Sequence, residues 1–222
     1  MNKAYVIGPI NTGTNLVHKL FENSECINKT TGLSLFINDS KIKFKNGLAH
    51  KHATNVNIIK EYIKQNDTLI VIMYKNVYNW IYSLQKAHYE IEFTNLNNTV
   101  KLCENTYKNC VHLYNYYYSM YIYLIQNNQN VMFLDYNKVI DKNNCFNYIN
   151  TKLDKYNLCL KSNEKLLETL DKPSKGHGKP VKNSNEAMQS YLSNQILVKR
   201  FLKTKTKIHK DVNNKITNYF ER

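Results

Sequence analysis

Residues 8–15 read GPINTGTN, a short polar loop bounded by two glycines, after the apolar run AYVI and before an amphipathic pattern. A strand, a glycine-flanked loop and a helix in that order gather backbone amides and the positive end of a helix dipole, which together hold phosphate-like anions. Thr12, Thr14 and Asn15 add hydroxyl and amide donors around Gly13. A nucleoside triphosphatase loop carries Lys and then Ser or Thr after its second glycine, but here Thr14 and Asn15 stand there. The cradle is present without the lysine and the magnesium-holding hydroxyl, which argues against a kinase. A plain turn capped by Thr12 or Thr14 is the competing reading.

Three further stretches carry chemistry. In YKNVYNWIYSL, Lys75 ends an apolar run and Ser83 lies eight residues on, two helical turns away. A cation at a strand end and a hydroxyl on the next helix suit one phosphate; a solvated lysine and an ordinary helix serine are the alternative. HKH, residues 50–52, offers a general base beside a cation, Lys51, that stabilises developing negative charge. Two histidines at this spacing without a third ligand make a poor zinc site, so no metal is expected; a polar surface loop is the rival reading. KPSKGHGKPVKN, residues 172–183, reads as a basic flap over an anion or as a solvated linker.

These residues need a scaffold. The sequence predicts a first buried strand over 3–8 and a helix over 15–22. Residues 34–37 and 42–48 read as a short edge hairpin or loop, and 55–65 has helical spacing in Val56, Ile59, Tyr62 and Ile63. TLIVIMY, residues 68–74, is apolar, β-branched and of strand length, hence a central parallel strand. A helix follows through residue 90. Residues 100–126 fit one long tyrosine-rich helix whose aromatics pack in a core. A third strand over 130–136 and helices over 162–170 and 186–203 complete the chain. Strands alternating with helices give an α/β protein with a parallel sheet, and ligands then sit beyond the carboxyl ends of the strands. The residues after Ile7, Met73 and Leu134 are therefore the ones to watch.

The chain of 222 residues suits one domain spanning 1–222, with 184–222 as a helical tail. Hydrophobic content of 42% with no membrane-length apolar run, and an amino terminus without a charged-then-apolar leader, lead us to expect a cytoplasmic protein. Cys26, Cys103, Cys110, Cys145 and Cys159 form no CxxC pair and read as reduced thiols. A net charge of +14, nearly all lysine, attracts anions of several kinds without choosing among them.

Taken in order, these motifs resemble the sulfotransferases that use 3′-phosphoadenosine 5′-phosphosulfate (PAPS). Thr12-Gly13-Thr14 stands where that family has Ser-Gly-Thr; Lys75 and Ser83 keep the spacing of its arginine–serine pair; the similarity runs over roughly residues 4–183. The resemblance implies a three-layer sandwich around a central parallel sheet, the P-loop-NTPase-like sulfotransferase fold. It implies that Asn11, Thr12, Gly13, Thr14 and Asn15 hold the 5′-phosphosulfate, and that Lys75 and Ser83 hold the 3′-phosphate with help from Lys175 and Gly176. Tyr136 would contact adenine. His52, or its neighbour His50, would take the acceptor's proton, and Lys51 would face the transferring group. Adenosine 3′,5′-bisphosphate is the implied product and a hydroxyl or amine, on a glycan or tyrosine for example, the implied acceptor; nucleic acid is not the expected partner. A sulfuryl group carries less charge than a terminal phosphoryl group, so the magnesium clamp is dispensable. Two departures stand out: Asn11 replaces the family's loop cation, and Lys75 replaces an arginine, keeping charge but losing the bidentate fork.

Overall fold

The computed structural model describes residues 1–37, 50–52, 56–86, 98–102 and 105–172. The expected hairpin over 42–48, Lys175 and Gly176, the flap beyond residue 172 and the helix over 186–203 lie outside the described residues. Contacts divide the described chain into two compact units, residues 1–74 with 128–172 and residues 75–127.

The first unit is α/β. Its strands β1 (Lys3–Ile7), β3 (Phe36–Ile37), β4 (Thr68–Tyr74) and β7 (Val131–Asp135) form a four-stranded sheet in the order β3-β1-β4-β7, every neighbouring pair parallel. All seven residues of β4 are buried, as a strand covered on both faces requires. The pleat sorts its neighbours. Ala4 and Val6 align with Leu69 and Val71 and face a core with Met132 and Leu134, filled by Leu16, Val17, Leu20 and Phe21 of α1 (Thr14–Asn23). Ile149 and Leu153 of α6 (Cys145–Asp154) and Leu166 and Leu170 of α7 (Glu164–Asp171) close the same core. Tyr5 points the other way and stacks on Tyr62 of α2 (Val56–Ile63), ring centroids 4.1 Å apart. Helices thus cover both faces of the sheet.

An antiparallel pair, β2 (Cys26–Asn28) with β8 (Leu158–Leu160), seals the far end of that core and has no counterpart in the expectations above. A 3₁₀ turn, His50–His52, and a short helix α5 (Tyr136–Val139) complete the elements around the loop after β1.

The second unit holds α3 (Val77–Lys86), the hairpin β5 (Val100–Leu102) with β6 (Asn105–Tyr107), and α4 (Cys110–Asn127). The single helix expected over 100–126 is corrected: its first third is a hairpin. Val100-Lys101-Leu102 alternates buried, exposed, buried, the period of a strand. The helix starts only where Asn109 Oδ1 accepts the His112 N–H at 3.1 Å, an amino-terminal cap. Tyr114, Tyr117, Tyr118 and Tyr121 are fully buried, with Trp80 against Tyr114 at 5.4 Å, as a tyrosine core requires. Among the described residues no helix is long and apolar enough to cross a membrane.

Candidate functional site

The loop after β1 closes on itself before it meets anything else. Thr12, fully buried, donates its hydroxyl proton to the Pro9 carbonyl at 2.7 Å. A Cβ at Gly8 would lie 2.6 Å from Thr12 Oγ1, so glycine at position 8 lets the loop fold back this tightly. Thr12 therefore shapes the loop with its only hydroxyl proton.

Asn11 and Gly13 both take left-handed backbone conformations, with φ of 63° and 90°. Asparagine is among the few non-glycine residues that tolerate this region. Asparagine at position 11 thus meets a backbone demand.

Gly13 is the amino-terminal cap of α1 and, being glycine, supplies no capping side chain. Neither Thr12 nor Thr14 caps it, contrary to the expected capped turn. Thr14, the first helical residue, is buried, and Asn15 beside it is exposed.

The 3₁₀ turn docks on the same loop. The Gly8 N–H donates to the Lys51 carbonyl at 3.0 Å. Lys51 is only 7% exposed, and its Nζ donates to Asn15 Oδ1 in the first turn of α1. A buried lysine side chain therefore sits beside the positive end of a helix dipole. His52 Nδ1 is 2.7 Å from the Gly8 carbonyl. A carbonyl oxygen only accepts, so Nδ1 carries the proton and Nε2 is the basic nitrogen of the neutral ring. This fixed tautomer is what a general base needs. His50 opens the turn.

From the third strand, Tyr136 brings its ring against Gly13. Burial pushes its phenol up to about 12. Asp135 precedes it at the end of β7 and caps α5 by accepting the Asn137 N–H at 2.9 Å. The loop residues, Lys51, His52 and Tyr136 are thus gathered in the first unit, all beyond the carboxyl ends of parallel strands.

In the second unit the Lys75–Ser83 spacing closes as the sequence suggests. Lys75 Nζ donates to Ser83 Oγ at 2.6 Å, and Ser83 Oγ donates to the Asn79 carbonyl at 2.8 Å. Lys75 is 5% exposed, which sets aside the solvated-lysine alternative. Its main chain is clamped as well: the Tyr114 hydroxyl donates to the Lys75 carbonyl at 2.7 Å and the Tyr118 hydroxyl accepts the Lys75 N–H at 3.2 Å. These two tyrosines, four residues apart on α4, were legible only as packing. Their polar role spans 39 and 43 residues of sequence and leaves no local signal.

Among the described residues no group of three His, Cys, Asp or Glu side chains is arranged to hold a metal ion. Compared with protein-family models, curated proteins and solved structures, the chain matches none.

Proposed function

We propose that this chain is a PAPS-dependent sulfotransferase of the P-loop-like fold, moving a sulfuryl group to a hydroxyl or amine acceptor. The observation that carries the proposal is the buried Lys51 ammonium bonded to Asn15 at the start of α1, a helix whose cap supplies no side-chain acceptor. A lysine ammonium and a glycine-capped helix start are the kinds of donor that together hold an anionic group. The Lys75 side chain, buried and held by Ser83 Oγ, is a second cation suited to an anionic group. In the resembled family the corresponding residues serve the 5′-phosphosulfate and the 3′-phosphate of the donor.

In this reading the free amides at the start of α1 bind the 5′ group, and Lys51 offsets charge on the transferring sulfuryl. His52 holds the acceptor through Nε2 and takes its proton as the acceptor oxygen or nitrogen attacks sulfur. The S–O bond to the 5′-phosphate breaks and adenosine 3′,5′-bisphosphate departs with that electron pair. Lys75 and Ser83 select nucleotides that carry a 3′-phosphate.

One observation favours a second reading, a nucleotide-binding protein without turnover. Asn11 stands where the resembled family has a loop cation, and its neutral amide cannot neutralise the leaving oxygen. Incubation with ³⁵S-labelled PAPS and a panel of sugars, phenols, tyrosyl peptides and amines separates the two. Label transferred to an acceptor supports the enzyme. Binding of the bisphosphate with neither transfer nor slow hydrolysis of PAPS supports the binder.

A further inference from the structure

Gly13 is enclosed on the side where another residue would carry its side chain. At φ 90° it has a conformation that glycine alone adopts freely. A Cβ there would lie 2.8 Å from Tyr136 Cδ2, 3.0 Å from Tyr136 Cε2 and 3.7 Å from Met73 Cε. Two buried or half-buried side chains, Met73 of β4 and Tyr136 at the start of α5, therefore press on the glycine that caps α1.

Tyr136 is itself held at its base. Asp135, directly before it, donates its own N–H to the Tyr148 hydroxyl at 2.8 Å and accepts the Asn137 N–H at 2.9 Å. The strand-to-helix turn that launches the tyrosine ring is thereby bonded on both sides. The phenol is neutral at physiological pH and brings no negative charge to the loop.

We infer that Tyr136, anchored by Asp135, is a positioning residue for the anion loop: its ring keeps Gly13 in the left-handed conformation that presents the first amides of α1 to the ligand. This rests on reading the loop as an anion cradle, and it gives Tyr136 a different part from the adenine contact implied by resemblance. Glycine has the widest backbone freedom of any residue. Without the ring, Gly13 samples conformations in which those amides no longer converge, and the anion must then be bound at the cost of ordering the loop.

Pyrophosphate, an anion without adenine, separates the two parts. Calorimetry on the full chain should show Tyr136→Ala weakening pyrophosphate and adenosine 3′,5′-bisphosphate by the same factor, about tenfold or more. Tyr136→Phe, which keeps the ring, should restore both. Weakened bisphosphate with unchanged pyrophosphate would return Tyr136 to adenine recognition and overturn the inference. Amide hydrogen exchange of residues 12–17 in the unliganded protein gives a readout that needs no ligand. Exchange should accelerate about tenfold in Tyr136→Ala and stay at the wild-type rate in Tyr136→Phe. Unchanged exchange in Tyr136→Ala also overturns the inference, whatever the chain binds. Conversely, a wild-type chain that ignores the bisphosphate sinks the proposed function and leaves the loop result standing.

Discussion

The Lys51 side chain is buried and donates to Asn15 in the first turn of α1, where a helix dipole presents its positive end. Replacing Lys51 with Met should make adenosine 3′,5′-bisphosphate bind roughly ten to a hundredfold more weakly, the usual worth of a charge-assisted bond, in a chain that still melts cooperatively. Calorimetry beside a thermal melt reads both effects. A melting temperature that falls with affinity intact would mean the lysine serves only the fold. His52 makes a separate prediction: with Nδ1 committed to the Gly8 carbonyl, His52→Ala should abolish transfer and change bisphosphate affinity by less than about threefold. Transfer that survives His52→Ala and is lost in His50→Ala would move the base to His50. Asp135 carries a pH signature. Burial, the main cause, raises its carboxyl above the ordinary aspartate range, while the Asn137 N–H and Lys138 oppose the rise. The folded state then holds a proton that the unfolded state has already released. Stability accordingly falls as pH climbs from the ordinary aspartate value of about 3.9 through the raised one. Asp135→Asn retains a capping oxygen and removes this slope. Its melting temperature should vary less with pH just above that value than the wild type's; parallel curves would contradict the assignment.

At the scale of elements, the helix α4 does more than fill a core. Tyr114 and Tyr118 meet both main-chain groups of Lys75. Tyr118→Phe leaves a buried N–H without that acceptor and should cost about 1–3 kcal/mol, against under about 1 kcal/mol for an exposed Tyr123→Phe, measured by urea unfolding. Equal costs would show the hydroxyl to be idle. The same helix shows how far sequence carried. TLIVIMY was legible to the residue as β4 because an apolar β-branched run of that length has one comfortable place, the middle of a parallel sheet. The loop and α1 were legible because glycine spacing and amphipathic period change together at residue 13. The stretch 100–107 was not. Its apolar positions fit both a helical and an alternating period, and the deciding feature, the Asn109 cap, looks like any loop asparagine. The three-residue strands β2 and β8 are too short to show a period and exist through pairing across 130 residues. The contact between Lys75 and Ser83 was legible from their spacing, whereas those of Lys51 with Asn15 and of Tyr136 with Gly13 join elements far apart in sequence.

On the scale of the whole molecule, a net charge of +14 means that any anion binds somewhat, and more so at low salt. Affinity for a nucleotide by itself is therefore poor evidence; discrimination between nucleotides of equal charge is good evidence. The central claim is that the loop with Lys51 takes the 5′ anion and Lys75 with Ser83 takes a 3′-phosphate, without magnesium. The direct measurement is calorimetric titration of the full chain at physiological ionic strength, with EDTA, against adenosine 3′,5′-bisphosphate and its isomer adenosine 2′,5′-bisphosphate. The account predicts that the 3′,5′ isomer binds about tenfold tighter or better, and that Ser83→Ala removes most of that preference. Equal affinity for the two isomers, or tight binding confined to magnesium–ATP, would contradict it.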